Sequence, residues 1–251
     1  MCLRVENATS DREPLLCPVC GNSVDSFRPL SHVWERSFWV SEEGQRLRRL
    51  PFITQPNLEC PHCCSHERHR LLWLYVTPRI AGWQNLSLLD IGPSTLLRSR
   101  LFEKSGMKYF SMDREPSLRP TFLADVCTVD TGRRFDVIVC SHVLEHIDDD
   151  RLALQRIGCM MSQDSVLLVQ VPIWSEETVE GKTDASNERL YGHPDHRRRY
   201  GPDIKHRIRE EGFEVDTFRV SDGDTNRFGL DPAEFIYVCR LAGRPVAEMS
   251  S

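Results

Sequence analysis

No apolar run in this 251-residue chain approaches the roughly 20 residues needed to cross a bilayer, which excludes a helical membrane span. Residues Met1 to Pro14 carry Arg4, Glu6, Asp11 and Glu13 without a continuous apolar stretch, so a secretory signal peptide is not expected either. Positive charge is also short. A net charge of −5 gives no bulk attraction to a phosphate backbone, and nucleic acid is not expected as a partner. The chain lacks the Gly-x-Gly-x-x-Gly of nicotinamide enzymes at its first strand-to-helix turn. These absences predict a cytoplasmic protein without a membrane anchor; a homodimer is compatible with the sequence.

Cysteine is plentiful by contrast, with ten residues, yet its placement argues against disulfides. Cys17-Pro-Val-Cys20 is answered roughly forty residues on by Cys60-Pro-His-Cys63, two knuckles that together supply four thiolates for a tetrahedral Zn²⁺. Closed four-sulfur sites are structural, so this is read as a small zinc ribbon. The second knuckle has Cys64 where the first has Gly21, which leaves Cys64, His62 and His66 as alternative ligands. Between the knuckles lie Phe27, Trp34, Phe38, Trp39 and Phe52, which must pack on a neighbouring domain or line a pocket beside it. A helix is predicted over Ser65–Tyr75 and ends at Pro78.

From Leu86 onward, short β-like runs alternate with helix-like stretches, the pattern of a parallel sheet covered on both faces. Seven runs qualify: Leu86–Ile91, Met107–Met112, Thr121–Ala124, Phe135–Cys140, Val166–Val171, Phe213–Phe218 and Phe235–Cys239, the last two suited to an antiparallel pair. The first run ends in Asp90-Ile-Gly92-Pro93-Ser94. Gly92 lets backbone approach a ligand there, and Ser94 opens the next helix with its hydroxyl. The second run leads into Asp113, placed to accept hydrogen bonds from ribose hydroxyls, and the third into Asp125-Val126, placed for an adenine amino group and ring.

The fourth run continues as Val139-Cys-Ser141-His142-Val-Leu-Glu145-His146. With the acidic strand ends, this resembles the class I S-adenosylmethionine-dependent methyltransferases over most of Leu86 to Arg240. The knuckles and Tyr191-Gly-His193-Pro-Asp-His196 are similar to a bacterial subgroup with an N-terminal zinc ribbon. The resemblance implies an α/β, Rossmann-like, seven-stranded doubly wound sheet whose last strand is reversed. It also implies S-adenosylmethionine as cofactor, with Asp90, Gly92, Pro93 and Ser94 at its methionine end, Asp113 at the ribose, Asp125 and Val126 at the adenine, and Ser141 and His142 flanking the sulfonium. The first loop departs from the family pattern, with Pro93, Ser94 and Thr95 in place of further glycines. A sulfonium cofactor has no pyrophosphate and needs less of a glycine cradle.

The expected division is a zinc ribbon with an N-terminal arm over residues 1–70 and a methyltransferase domain over 71–251, with a lid insertion at about 172–200. A hydroxyl acceptor must lose its proton during attack, and histidine is suited to take it. His193, His142 and His146 are the catalytic candidates, with His196 beside them. A divalent ion at Glu145 and His146 would be another way to activate a hydroxyl. Arg197–Arg199 could recognise an acidic substrate, and Asp148–Asp150 suit the start of the following helix. The expected reaction is O- or N-methylation of a small molecule, with acidic compounds and natural-product intermediates as the candidate acceptors. The alternatives are an RNA methyltransferase using the ribbon and Arg46–Arg49, and a methyltransferase-like binding module without turnover.

Overall fold

The computed structural model describes residues 14–28, 59–180 and 195–243. Two short strands, β1 (Leu15–Leu16) and β2 (Ser23–Val24), pair around the first cysteine knuckle. Helix α1 (Glu67–Val76) leaves the second knuckle and runs straight over residue 70, so the cysteine module and the sheet share a helix. Pro78 does not end the helical path. It occupies an early position of a 3₁₀ turn, Thr77–Arg79, where its missing N–H costs nothing, and α2 (Ile80–Trp83) follows.

The seven expected strands all form and share one sheet, with bounds shifted by up to a few residues: β3 (Ser87–Ile91), β4 (Lys108–Asp113), β5 (Phe122–Leu123), β6 (Phe135–Ser141), β7 (Met161–Gln170), β10 (Phe213–Phe218) and β11 (Ile236–Leu241). Their order is β10-β11-β7-β6-β3-β4-β5, and β11 is antiparallel to both neighbours while the β7-β6-β3-β4-β5 pairs are parallel. The sheet is therefore doubly wound around β3, with the last strand reversed as expected.

Side chains alternate across this sheet with period two, and both faces are covered. Leu89, Ile91, Ile138, Cys140, Leu167 and Val169 face one core with α4 (Asp150–Cys159) and α5 (Ile204–Glu210). Leu88, Val137, Val139, Leu168 and Val238 face the other, with α1 and α3 (Thr95–Arg100). A further short helix, α6 (Asp222–Arg227), lies between β10 and β11. No helix among the described residues is long and apolar enough to cross a membrane.

The cysteine module has a different interior. Among the described residues its cluster consists of Cys17, Val19, Val24, Phe27, Cys60 and Cys63, where thiols take up half of the interior. It is joined to the rest through Arg70, which is fully buried. Its guanidinium donates to the carbonyls of Ser65 (2.6 Å), Phe228 (2.8 Å) and Gly229 (2.6 Å) and lies 4.0 Å over the Phe27 ring. Phe27 packs so closely on Gly229 that any side chain at 229 would overlap the ring. Phe27 is thus core at the junction; Trp34, Phe38, Trp39, Phe52 and Arg46–Arg49 lie outside the described residues.

The proposed lid begins and ends firmly anchored. Strands β8 (Val179–Glu180) and β9 (Arg198–Arg199) pair with each other, and Tyr200 bridges to Ile173. Residues 181–194, including Tyr191 and His193, lie outside the described region.

Candidate functional site

A cavity of about 470 Å³ opens at the carboxyl ends of β3, β4 and β6, where a doubly wound sheet offers a crevice. Of the expected cofactor residues, Gly92, Asp113, Asp125, Val126 and His142 line it; Asp90, Pro93, Ser94 and Ser141 do not. His146 lines it as well, joined by Arg114, Asp148, Asp149 and Arg197.

Gly92 carries φ of +66°, and a Cβ there would lie 2.5 Å from Val143 Cγ2. The first-strand turn and the Val143-Leu-Glu-His segment are thus interlocked, which keeps both at the cavity wall. The two acids are held by their own loops. Asp113 Oδ1 accepts from the Glu115 amide at 2.8 Å, and Asp125 Oδ1 from the Cys127 amide at 2.8 Å. The other oxygen of Asp113 has no hydrogen-bond partner among the described residues. Asp125 Oδ2 meets Arg114 at 3.4 Å. Such tethering fixes each carboxylate's direction before a ligand arrives.

Asp90 points to the opposite face of the sheet. It is buried, accepts from the Tyr109 hydroxyl at 3.1 Å, and burial raises its pKa to about 7. Ser141 donates to Gln170 Oε1 at 2.9 Å instead of facing the cavity. Ser94 is the residue that opens α3, but its hydroxyl makes no capping bond.

His142 ends β6 with φ of +55°, a conformation uncommon for a residue with a side chain and one that concentrates at functional sites. Its Nε2 is 2.9 Å from Glu234 Oε1, and its Nδ1 is 3.4 Å from Glu145 Oε1. Glu234 Oε1 also accepts from Gln170 Nε2 at 3.4 Å, and that amide donates to the Arg68 carbonyl at 3.2 Å. Glu234 thus fixes the Nε2 end of the ring, and Nδ1 turns toward Glu145. Burial drives the His142 pKa well below its ordinary value, which keeps the ring neutral, and burial raises Glu234 and Glu145 to about 8 each.

The His142-x-x-Glu145-His146 segment is not helical in the way a protease motif requires. It turns from β6 into a 3₁₀ segment, Leu144–His146, so the two histidines do not share a helix face. The Asp148–Asp150 run divides three ways. Asp148 is exposed and pairs with Arg197 at 2.9 Å; Asp149 caps α4 by accepting from the Leu152 amide at 2.9 Å. Asp150 is buried, taking the Tyr200 hydroxyl at 2.5 Å and Arg207 at 2.8 Å, so its role is internal pairing as well as helix start.

The arginine run divides too. Arg197 reaches the cavity, whereas Arg198 is buried and spends its donors on the carbonyls of Leu144 (2.8 Å), Ile147 (2.5 Å) and Asp148 (2.7 Å) and on Glu180 (3.1 Å). Arg199 is buried as well. Of the three arginines that could recognise an acidic substrate, Arg197 alone lines the cavity, and Arg198 is spent on holding the chain together.

Sequence reasoning missed Glu234, Gln170 and Arg70. Each is a single residue with no motif around it, distant in sequence from what it touches. The acid after Pro232, directly before an apolar strand, was the one visible signal.

The four cysteines come together. Cys17 and Cys63 sulfurs lie 3.7 Å apart and those of Cys20 and Cys60 3.9 Å, matching the edge of about 3.8 Å that a tetrahedron of Zn–S bonds requires. The knuckles are alike: Gly21 N donates to the Cys17 carbonyl and Cys64 N to the Cys60 carbonyl, with φ of +74° and +58°. Cys64 therefore fills the turn position of Gly21 and is exposed, while His66 stacks on His69.

A family model described as a methyltransferase domain matches residues 63–217. No curated protein matches the sequence. Among solved structures, the Haloferax volcanii complex of the Trm112 methyltransferase activator with a putative methyltransferase is similar with TM-score 0.50 and 14% identity, over 71% of this chain and 91% of that one. The 1,6-didemethyltoxoflavin-N1-methyltransferase of Burkholderia thailandensis, bound to S-adenosylhomocysteine, gives 0.48 and 17% over 66% and 77%. The N-methyltransferase NodS of Bradyrhizobium japonicum gives 0.45 and 15% over 84% and 97%. At these identities the likeness is one of fold.

Proposed function

Because the chain belongs to the class I S-adenosylmethionine-dependent methyltransferases, we propose that it methylates an oxygen or nitrogen of a small molecule at the cavity above β3, β4 and β6. The observation that carries this is the pair of tethered acids, Asp113 and Asp125, facing one cavity with Gly92 and His142. The cofactor, when bound, supplies a methyl group on a sulfonium sulfur: the acceptor bonds the methyl carbon, the C–S electron pair returns to sulfur, and the acceptor's proton is released. Asp113 suits the ribose hydroxyls, Asp125 and Val126 the adenine, and Gly92 the close approach of the methionine end. Asp90, Pro93, Ser94 and Ser141 would act from behind the wall, shaping the turn.

His142 would take the acceptor's proton at Nδ1, since Glu234 holds its other nitrogen and burial keeps it neutral and able to accept. His146 lines the same wall, and His193 would join from the lid over 172–200. Arg197, paired with Asp148, is the one arginine of its run placed to meet an anionic group on the substrate. Four aspartates against two arginines on the wall repel a phosphodiester backbone, which favours a small molecule over RNA. The four cysteines would hold a structural zinc ion.

Calorimetric titration with S-adenosylhomocysteine tests the reading on protein whose zinc content has been measured. We expect micromolar binding and one zinc per chain. Folded protein that binds no S-adenosylhomocysteine would overturn the transfer reaction and leave a binding module.

A further inference from the structure

Beside the cofactor cavity, three groups from two distant segments converge. Glu145 and His146 come from the 3₁₀ turn after β6, and His196 from the segment just before β9. One ligand atom of each lies within 4.8 Å of the others. The rings of His146 and His196 meet edge to face at 4.7 Å, and Trp174 covers His196 at 5.9 Å.

Glu145 is the anomaly. Its side chain is 1% exposed, and among the described residues neither carboxylate oxygen has a hydrogen-bond partner; the 3.4 Å approach to His142 Nδ1 lacks hydrogen-bond geometry. A buried carboxylate without a bond is expensive, about 1–3 kcal/mol even when neutral, and native folds rarely keep one without a use. Removing that cost takes a cation or a donor, and the neighbouring side chains are imidazoles, which are metal ligands.

The scaffold around the three is rigid where a site needs it to be. Arg197 N donates to the Glu145 carbonyl at 2.7 Å, and Arg198 spans the carbonyls of Leu144, Ile147 and Asp148. The His196 segment is thereby fastened across the Glu145–His146 turn from both sides. Preorganisation of this kind is what separates a metal site from a chance cluster.

We propose that Glu145, His146 and His196 bind a divalent transition-metal ion through two imidazoles and one carboxylate, separate from the four-cysteine site. Two nitrogens and one oxygen select iron, cobalt, manganese or zinc over calcium or magnesium, and three protein ligands leave coordination positions open. Of the three, His146 lines the cofactor cavity, which puts the cluster beside the space where an acceptor would sit. This deepens the methyltransferase reading, on which it rests for the reaction. The acceptor would be an alcohol or phenol whose oxygen binds the ion, and its proton would pass to His142 Nδ1 as the oxygen takes the methyl group. The metal then specifies O-methylation.

The test uses the full chain with its cysteine site loaded with zinc, titrated with Co²⁺. We expect one cobalt per chain, an absorption spectrum free of thiolate-to-cobalt charge transfer, and two histidine ring N–H resonances shifted by the paramagnetic ion. Glu145→Gln and His196→Asn should each weaken cobalt binding by about tenfold or more. Absence of bound cobalt in the wild type, a thiolate band, or undiminished affinity in His196→Asn overturns the site. The wild-type resonances decide the matter even if a variant folds poorly. S-adenosylhomocysteine titrated into the same samples separates the two ideas: cofactor binding without cobalt sinks only the metal, and cobalt binding without cofactor sinks only the transfer reaction.

Discussion

The cysteine module and the sheet differ in what keeps them folded. The sheet buries two continuous apolar layers, one on each face. The described part of the module packs six apolar residues, three of them cysteines, under a stacked arginine. The sheet spreads its burial over many more side chains. The module depends on four sulfurs and one guanidinium, and its helix α1 carries Arg68 into the network that holds His142. The small region is therefore the vulnerable one and also a support of the candidate active site.

Replacing Cys17 by serine should break the comparison most severely. Structural zinc contributes on the order of 10 kcal/mol to small domains, so this variant should lose its metal and the order of residues 14–28 while the sheet persists. Zinc content and limited proteolysis check it; unchanged metal would contradict the four-sulfur site. Arg70→Ala comes next. It strands three backbone carbonyls and should cost about 3–5 kcal/mol, read as a fall in the thermal midpoint with zinc still bound. If the loss is under about 1 kcal/mol, the module is not coupled to the sheet through this residue.

The seven strands and the turn residues Gly92, Asp113 and Asp125 were legible in the sequence because they rest on local pattern: period-two burial, a turn that needs glycine, acids just past strand ends. His142 was legible for the same reason. Glu234 could not be read, since it meets His142 across 92 positions and only the reversed last strand brings them together. Arg70 looked like one of several polar residues opening a helix, and nothing local marks it as buried. Asp150 was misread in part because a helix start explains an aspartate sufficiently, while Tyr200 and Arg207 arrive from fifty or more residues away. Pro78 was misread as a stop because a 3₁₀ turn accepts proline where an α-helix interior does not.

Two smaller changes sharpen the comparison from the side of the sheet. Asp113→Ala should weaken S-adenosylhomocysteine by about 10- to 100-fold, roughly 1.4–2.8 kcal/mol, with no change in thermal midpoint, because its bonds are local to the loop. Equal affinity in variant and wild type would remove Asp113 from the ribose. Asp90→Asn should stabilise the fold, and only above acid pH. Its folded pKa of about 7 lies above the unfolded value, so the folded state holds the proton longer. The stability it contributes is complete below the unfolded pKa and is lost as pH rises towards 7. Asparagine, which does not ionise and still accepts from Tyr109, should therefore match wild type near pH 4 and exceed it by at most about 4 kcal/mol at pH 8, the ceiling set by a shift of roughly three units. Denaturant midpoints at the two pH values check this, and a gain of the same size at both would reject it.

The reversed strand β11 has a consequence for synthesis. It slots between β7 and β10, so a growing chain that has already made residues 87–218 still exposes the ten-residue edge of β7. An open apolar edge invites pairing with other chains. Glu234 sits just ahead of β11, so the residue that orients His142 leaves the ribosome together with the strand that closes that edge. A chain interrupted before this point keeps an unpaired strand edge and lacks the partner of His142, and one that reaches it gains both in the same step.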